Sequence, residues 1–120
     1  MPEQPATSML DVDLEMARCL ARQYASEVRT QFGDRSRRVC LYGSAARGDW
    51  SRQSDVDVLV LLDRVDRQDQ TWLVQRAMEL GVFDSGILLQ PLPMAEAEFV
   101  ELGRRERLLA REIEREGIDL

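Results

Sequence analysis

Two aspartates one residue apart, Asp55 and Asp57, open an apolar run that continues through Val58, Leu59, Val60, Leu61 and Leu62. Such a run reads as a buried strand. Side chains two apart on a strand share a face, so the two carboxylates project side by side, roughly 6 to 7 Å apart. In a partly buried site each raises the other's pKa, whereas a divalent cation removes that penalty and keeps both ionised. Magnesium fits best, because it favours one or two carboxylates completed by phosphate oxygens and water. Upstream, Gly43 closes a shorter apolar run, Arg38 to Tyr42, and Ser44 follows. The glycine lets the backbone approach a ligand, and the N–H groups of Ser44 and its successors open a helical turn that suits phosphate. With the two runs as neighbours in one sheet, the turn delivers a triphosphate to the edge where the aspartates stand. That layout suits two-metal phosphoryl chemistry.

Composition narrows the alternatives. The chain has no histidine, which excludes a His general base, a Ser-His-Asp triad and ordinary zinc sites, so any metal binds oxygen. All 16 basic residues are arginine, which excludes a lysine-dependent phosphate loop and a Schiff base. The formal charge of −6 repels phosphate backbones, and nucleic acid is not an expected partner. Cys19 and Cys40 lie in apolar patterns rather than at ligand spacing and read as reduced core fillers. No apolar run approaches the ~20 residues of a membrane span, and no basic region precedes an apolar stretch at the N-terminus, so the expected location is the cytoplasm.

The elements that must hold these residues follow from period and punctuation. Residues 1–8 are polar and without period, a flexible lead-in, and residues 9–120 read as one domain. Leu10, Val12, Met16, Cys19, Leu20 and Val28 recur at helical spacing up to Phe32 and Gly33. Arg38 to Tyr42 and Asp55 to Leu62 are two strands joined by a compact polar loop. A helix is expected over 69–80, a third strand over Val82 to Leu89 stopped by Pro91 and Pro93, a helix from Pro93 to Gly103, and another ended by Gly117. This is an α/β (α+β) fold, a small mixed sheet with flanking helices.

Gly43-Ser44, ten residues, then Asp55-x-Asp57 resembles the signature of the DNA polymerase β-like nucleotidyltransferase superfamily, and within it the minimal nucleotidyltransferase, MntA-like group. Arg47, Gly48 and Ser54 fit the same pattern. The resemblance implies a polymerase-palm-like fold, ATP as donor, two Mg²⁺ ions, and a nucleotide site at Gly43, Ser44, Arg47 and Ser54. It also implies a third metal carboxylate from a later strand, the place of Asp84 in the third expected strand, beside Asp55 and Asp57. It further implies a HEPN-domain toxin as partner, with AMP transferred to a toxin tyrosine so that the chain acts as antitoxin. Two other functions stay open: a non-catalytic module of this fold that neutralises a partner by occlusion, and a small-molecule nucleotidyltransferase of the aminoglycoside type.

Several residues carry a plainer reading beside the chemical one. Arg47 either braces the loop or phosphates or pairs with Asp49 on the surface. Ser54 either caps the turn into the strand or touches the nucleotide. Trp50 reads as an aromatic closing the loop over the core, and Trp72 as packing. The interleaved charges of Arg104 to Arg107 and Arg111 to Arg115 read as a solvated helix face.

Overall fold

The computed structural model describes residues 5–120, with side chains from Val12 onward. Residues 1–4 of the expected lead-in lie outside the described residues. Helix α1 spans Pro5–Phe32, starting upstream of the apolar spacing that announced it. Its buried face takes only part of the expected stripe: Leu20, Val28 and Phe32 are buried together with Ala17, Ala21, Tyr24 and Ala25, while Val12 and Met16 are exposed. Cys19, expected in the core, is exposed, and Cys40 is buried. Small alanines bring this helix close to the sheet, which turns Val12, Met16 and Cys19 outward.

Strand β1 (Ser36–Tyr42) leads through a single turn of helix, α2 (Ser44–Arg47), into strand β2 (Val56–Leu62). The two strands pair antiparallel, with Cys40 opposite Leu59 and Tyr42 opposite Asp57. Helix α3 (Arg67–Met78) opens with a reciprocal cap, in which Asp66 accepts from the Asp69 N–H and Asp69 accepts from the Asp66 N–H. Two such bonds satisfy orphan amide donors of the first turn.

The segment after α3 departs from expectation. The chain continues as a π-helical turn over Glu79–Phe83, and Val82 to Leu88 form no strand. Strand β3 is instead Leu89–Ala95, containing both prolines. It pairs parallel with β2 and lies at the edge of the sheet, whose order is β3-β2-β1-β4. Successive N–H groups of a strand point to opposite sides, so Pro91 and Pro93, two apart, both place the missing donor on the same side. An edge strand tolerates this where that side faces away from its neighbour. The helix expected from Pro93 begins only at Glu96: α4 is Glu96–Arg105 and α5 is Arg107–Glu116. A two-residue strand, β4 (Ile118–Asp119), then pairs with Cys40 and Leu41.

The mixed four-stranded sheet is covered on both faces. Val39, Leu41, Val56, Val58, Val60 and Leu62 pack with α1 and α3 in one core. Cys40, Leu59, Leu61 and Met94 pack with Leu102 and Ile113 of α4 and α5 in the other. Because β2 is buried on both sides, its sequence is a continuous apolar run rather than an alternation. The buried Tyr24 hydroxyl donates to the Leu73 carbonyl at 2.8 Å, and Arg76 forks onto Glu27 at 2.5 and 3.1 Å, two ties between α1 and α3. Among the described residues, no helix is long and apolar enough to cross a membrane.

Candidate active site

The antiparallel register of β1 and β2 places the end of one strand beside the start of the other, so the turn at Gly43 meets Asp57 directly. Gly43 has φ +77°, a region that residues with a Cβ rarely adopt. A Cβ on Gly43 would lie 2.5 Å from Asp57 Oδ2. The glycine is thus required twice, by its dihedral and by the carboxylate lying against it. Ser44 opens α2, whose turn is closed by Ala46 and Arg47 N–H groups on the Gly43 carbonyl at 3.1 and 3.0 Å and by Gly48 N–H on the Ser44 carbonyl at 2.9 Å.

Asp57 is half-buried, while Asp55, one residue before the strand, is exposed. Burial, then the charge of Asp55, then that of Glu112 push the Asp57 carboxyl up to about 6, with Arg47 opposing them. Tyr42, opposite Asp57 on β1, is raised to about 12 by burial first and by Asp57 and Glu112 next. The site therefore holds excess negative charge, the condition a divalent cation relieves. Its donors are carboxylate oxygens, which suit Mg²⁺ or Mn²⁺.

The structure brings Gly43, Ser44, Asp55 and Asp57 to one end of the sheet and sets Arg47 beside them. Arg47 bonds Glu112 of α5 at 3.2 Å and lies 3.6 Å from Glu116 and 3.5 Å from Asp49. Its surface pairing with Asp49 and its bracing of the loop are thus both present. Ser54 closes the turn before β2: its N–H donates to the Ser51 carbonyl at 2.8 Å, its hydroxyl lies 3.3 Å from that of Ser51, and its carbonyl accepts from the Trp50 indole at 3.1 Å. Trp50 is buried and packs in the core. Trp72 meets Phe32 edge-on at 5.5 Å between ring centres.

Asp84 stands apart. It is exposed at the end of the π-helical turn rather than on a strand, and among the described residues no three acidic or cysteine side chains group closely enough to hold a metal. The residue that β3 does set beside Asp57 is Gln90. Two further residues near the site escape a reading of the sequence. Arg18 of α1 donates to the Ala45 and Ala46 carbonyls at 2.9 and 3.1 Å and so pins the α2 turn to the long helix. Glu112 lies in a run of mixed charges that reads as solvated surface. Only an arginine close to the alanine face of α1 hinted at the first, and nothing local marked the second.

A parallel and antiparallel mixed sheet, a glycine-serine turn and a paired aspartate at its edge define the class as a nucleotidyltransferase. Residues 21–117 match the nucleotidyltransferase domain family, and the chain belongs to it. A protein of Methanocaldococcus jannaschii named "putative protein adenylyltransferase" is 42% identical over 73 residues, 61% of this chain and 74% of that one. A second of that name from the same organism is 31% identical over 42 residues, 35% of this chain and 42% of its own. A crystal structure of a "putative nucleotidyltransferase" from Sulfolobus solfataricus superposes with a TM-score of 0.54 at 21% identity, covering 98% of this chain and 87% of that one. A toxin-antitoxin structure with AMP-PNP superposes at 0.53 and 19% identity, covering 81% and 69%. At these identities the solved structures speak for the fold.

Proposed function

We propose that the chain transfers AMP from Mg²⁺-bound ATP to a hydroxyl of a partner protein, a tyrosine of a HEPN-family toxin, and thereby acts as its antitoxin. The observation that carries this reading is the contact of the Asp57 carboxylate with the Gly43 turn, which supports reading the aspartate pair as the metal holder and the turn as the phosphate seat. The relative named for protein adenylylation and the toxin-antitoxin neighbour with AMP-PNP support the donor and the kind of acceptor.

In this reading Asp55 and Asp57 hold the cation, and Gly43 and Ser44 receive the phosphates. Arg47 stands where it can exchange an acidic partner on α5 for a phosphate oxygen, and Ser54 fixes the turn that aims Asp55. Bound Mg²⁺ supplies charge neutralisation at the phosphate being attacked. The protein's own part is positioning: an attacking hydroxyl must come within about 3 to 3.5 Å of the phosphorus, and a docked protein holds a tyrosine there. The net charge of −6 favours a basic partner.

The test is incubation of wild type and Asp55→Asn/Asp57→Asn with the toxin, Mg²⁺ and ATP, read by intact-mass spectrometry and toxin activity. Mass added in AMP units by the wild type alone is the expected result. No added mass, with both proteins neutralising the toxin equally, leaves occlusion as the mechanism. In a parallel incubation with an aminoglycoside in place of the toxin, AMP added to the drug moves the reading to a small-molecule enzyme.

A further inference from the structure

Arg47, the last residue of α2, is held from the opposite side by α5. Its Nη1 lies 3.2 Å from Glu112 Oε2 and 3.6 Å from Glu116 Oε1, and its Nε lies 3.5 Å from Asp49 Oδ1. The Arg47 side chain keeps 39% of its surface and that of Glu112 33%, so a competing anion can reach the contact. Glu112 and Glu116 stand four residues apart on one helix, a spacing at which like charges repel. Glu116 is also the last residue of α5, where the helix dipole disfavours an acid. Arg47 is the cation that offsets both penalties. Glu112 faces the site as well, since its charge acts on Asp57 and on Tyr42.

We infer that Glu112 and Glu116 are a built-in competitor for the nucleotide: they occupy Arg47 in the empty protein, and a triphosphate gains that arginine only by taking it from them. The inference rests on the reading of the turn from Gly43 to Arg47 as the phosphate seat, and it names the residues that set the affinity of that seat. One guanidinium cannot serve the α5 carboxylates and a phosphate oxygen at full strength, so the free energy of the α5 contact is subtracted from that of nucleotide binding. Loading leaves the end of α5 without its counter-charge. The sign is opposite to that of an ordinary site-lining residue: removing the α5 acids strengthens binding, and it does so only while Arg47 is present to be released.

The experiment is calorimetric titration with Mg²⁺–AMP-PNP, each variant first melted to establish that it is folded. Glu112→Gln and Glu116→Gln are each expected to bind about threefold more tightly than wild type, and the double variant about tenfold. Glu114→Gln is the control: it removes the same charge from the same helix, but Glu114 pairs with Arg38 at 2.8 Å and not with Arg47, and its affinity is expected to match wild type. In an Arg47→Gln background the double substitution on α5 is expected to give no gain, the signature of coupling through that arginine. Unchanged or weaker binding in the α5 variants, an equal gain in Glu114→Gln, or a gain that persists without Arg47 each overturns the inference, the last two because they reduce it to general repulsion. Failure of the underlying reading looks different: Asp55→Asn/Asp57→Asn then binds Mg²⁺–AMP-PNP as wild type does, whatever stands at position 112.

Discussion

Burial and neighbouring carboxylates push Asp57 up to about 6 from its ordinary 3.8, and this gives Asp57 its own contribution to the pH dependence of the metal-free protein. Between pH of about 4 and 6 the folded chain keeps a proton on Asp57 that the unfolded chain has released, so each rise in pH favours unfolding. The stabilisation is complete below about 4, lost through about 6 and flat above. Half-exposure screens the effect, which leaves on the order of 1 kcal/mol. Denaturant titrations in EDTA from pH 4 to 7 should show wild type losing stability relative to Asp57→Asn as pH rises, since Glu27, Asp63 and Asp69, held low by their arginine partners, add the opposite slope to both proteins; parallel profiles would assign the effect elsewhere. Gly43 gives a second outcome at this scale. Gly43→Ala is expected to lose about 1 to 3 kcal/mol, from a positive φ and a Cβ 2.5 Å from Asp57 Oδ2, and to abolish calorimetric binding of Mg²⁺–ATP. A fully stable variant that binds as wild type would contradict the contact.

At the scale of elements, the short α2 has too few residues to hold itself, and its order comes from outside. Arg18 supplies it by donating to two of its carbonyls. Arg18→Ala is expected to cost about 1 to 3 kcal/mol and to speed hydrogen exchange at the Gly48 and Asp49 amides, both bonded to the Ser44 carbonyl. Unchanged exchange there would mean that α2 is held by its packing alone. The start of α3 is held by its own sequence. Asp69, buried and forked onto by Arg35 at 3.2 and 2.5 Å, also closes the reciprocal cap. Asp69→Ala is expected to lower stability by about 1 to 2 kcal/mol, read as a lower denaturant midpoint with an unchanged slope. A smaller loss than that of an exposed surface alanine would show that the cap carries no weight.

The whole molecule presents the site at one end of the two central strands, in a sheet already covered on both faces. The acceptor proposed above meets an acidic field. Association with the toxin partner proposed above is expected to slow at least tenfold between low salt and about 0.5 M salt, with dissociation much less affected. Stopped-flow mixing across that range measures it, and an association rate indifferent to salt would remove electrostatic steering from the proposal.

The aspartate pair, the glycine-serine turn and the two strands that bear them were legible in the residues, because both signals are local: a period of two with an apolar run, and a glycine where the chain must bend. The helices were legible for the same reason, although α1 buries Ala17, Ala21 and Ala25 beside Leu20, Val28 and Phe32 and turns Val12, Met16 and Cys19 outward. What waited for the tertiary structure was pairing. Pro91 and Pro93 read as a stop until the sheet order made β3 an edge strand, where an absent N–H faces no partner. That shift of register moved the flank of Asp57 from an acid in the run 82–89 to Gln90. Arg18 and Glu112 reach the site from 27 and 65 residues away along the chain. No local pattern records such a contact, because it depends on how two helices lie against opposite faces of the same sheet.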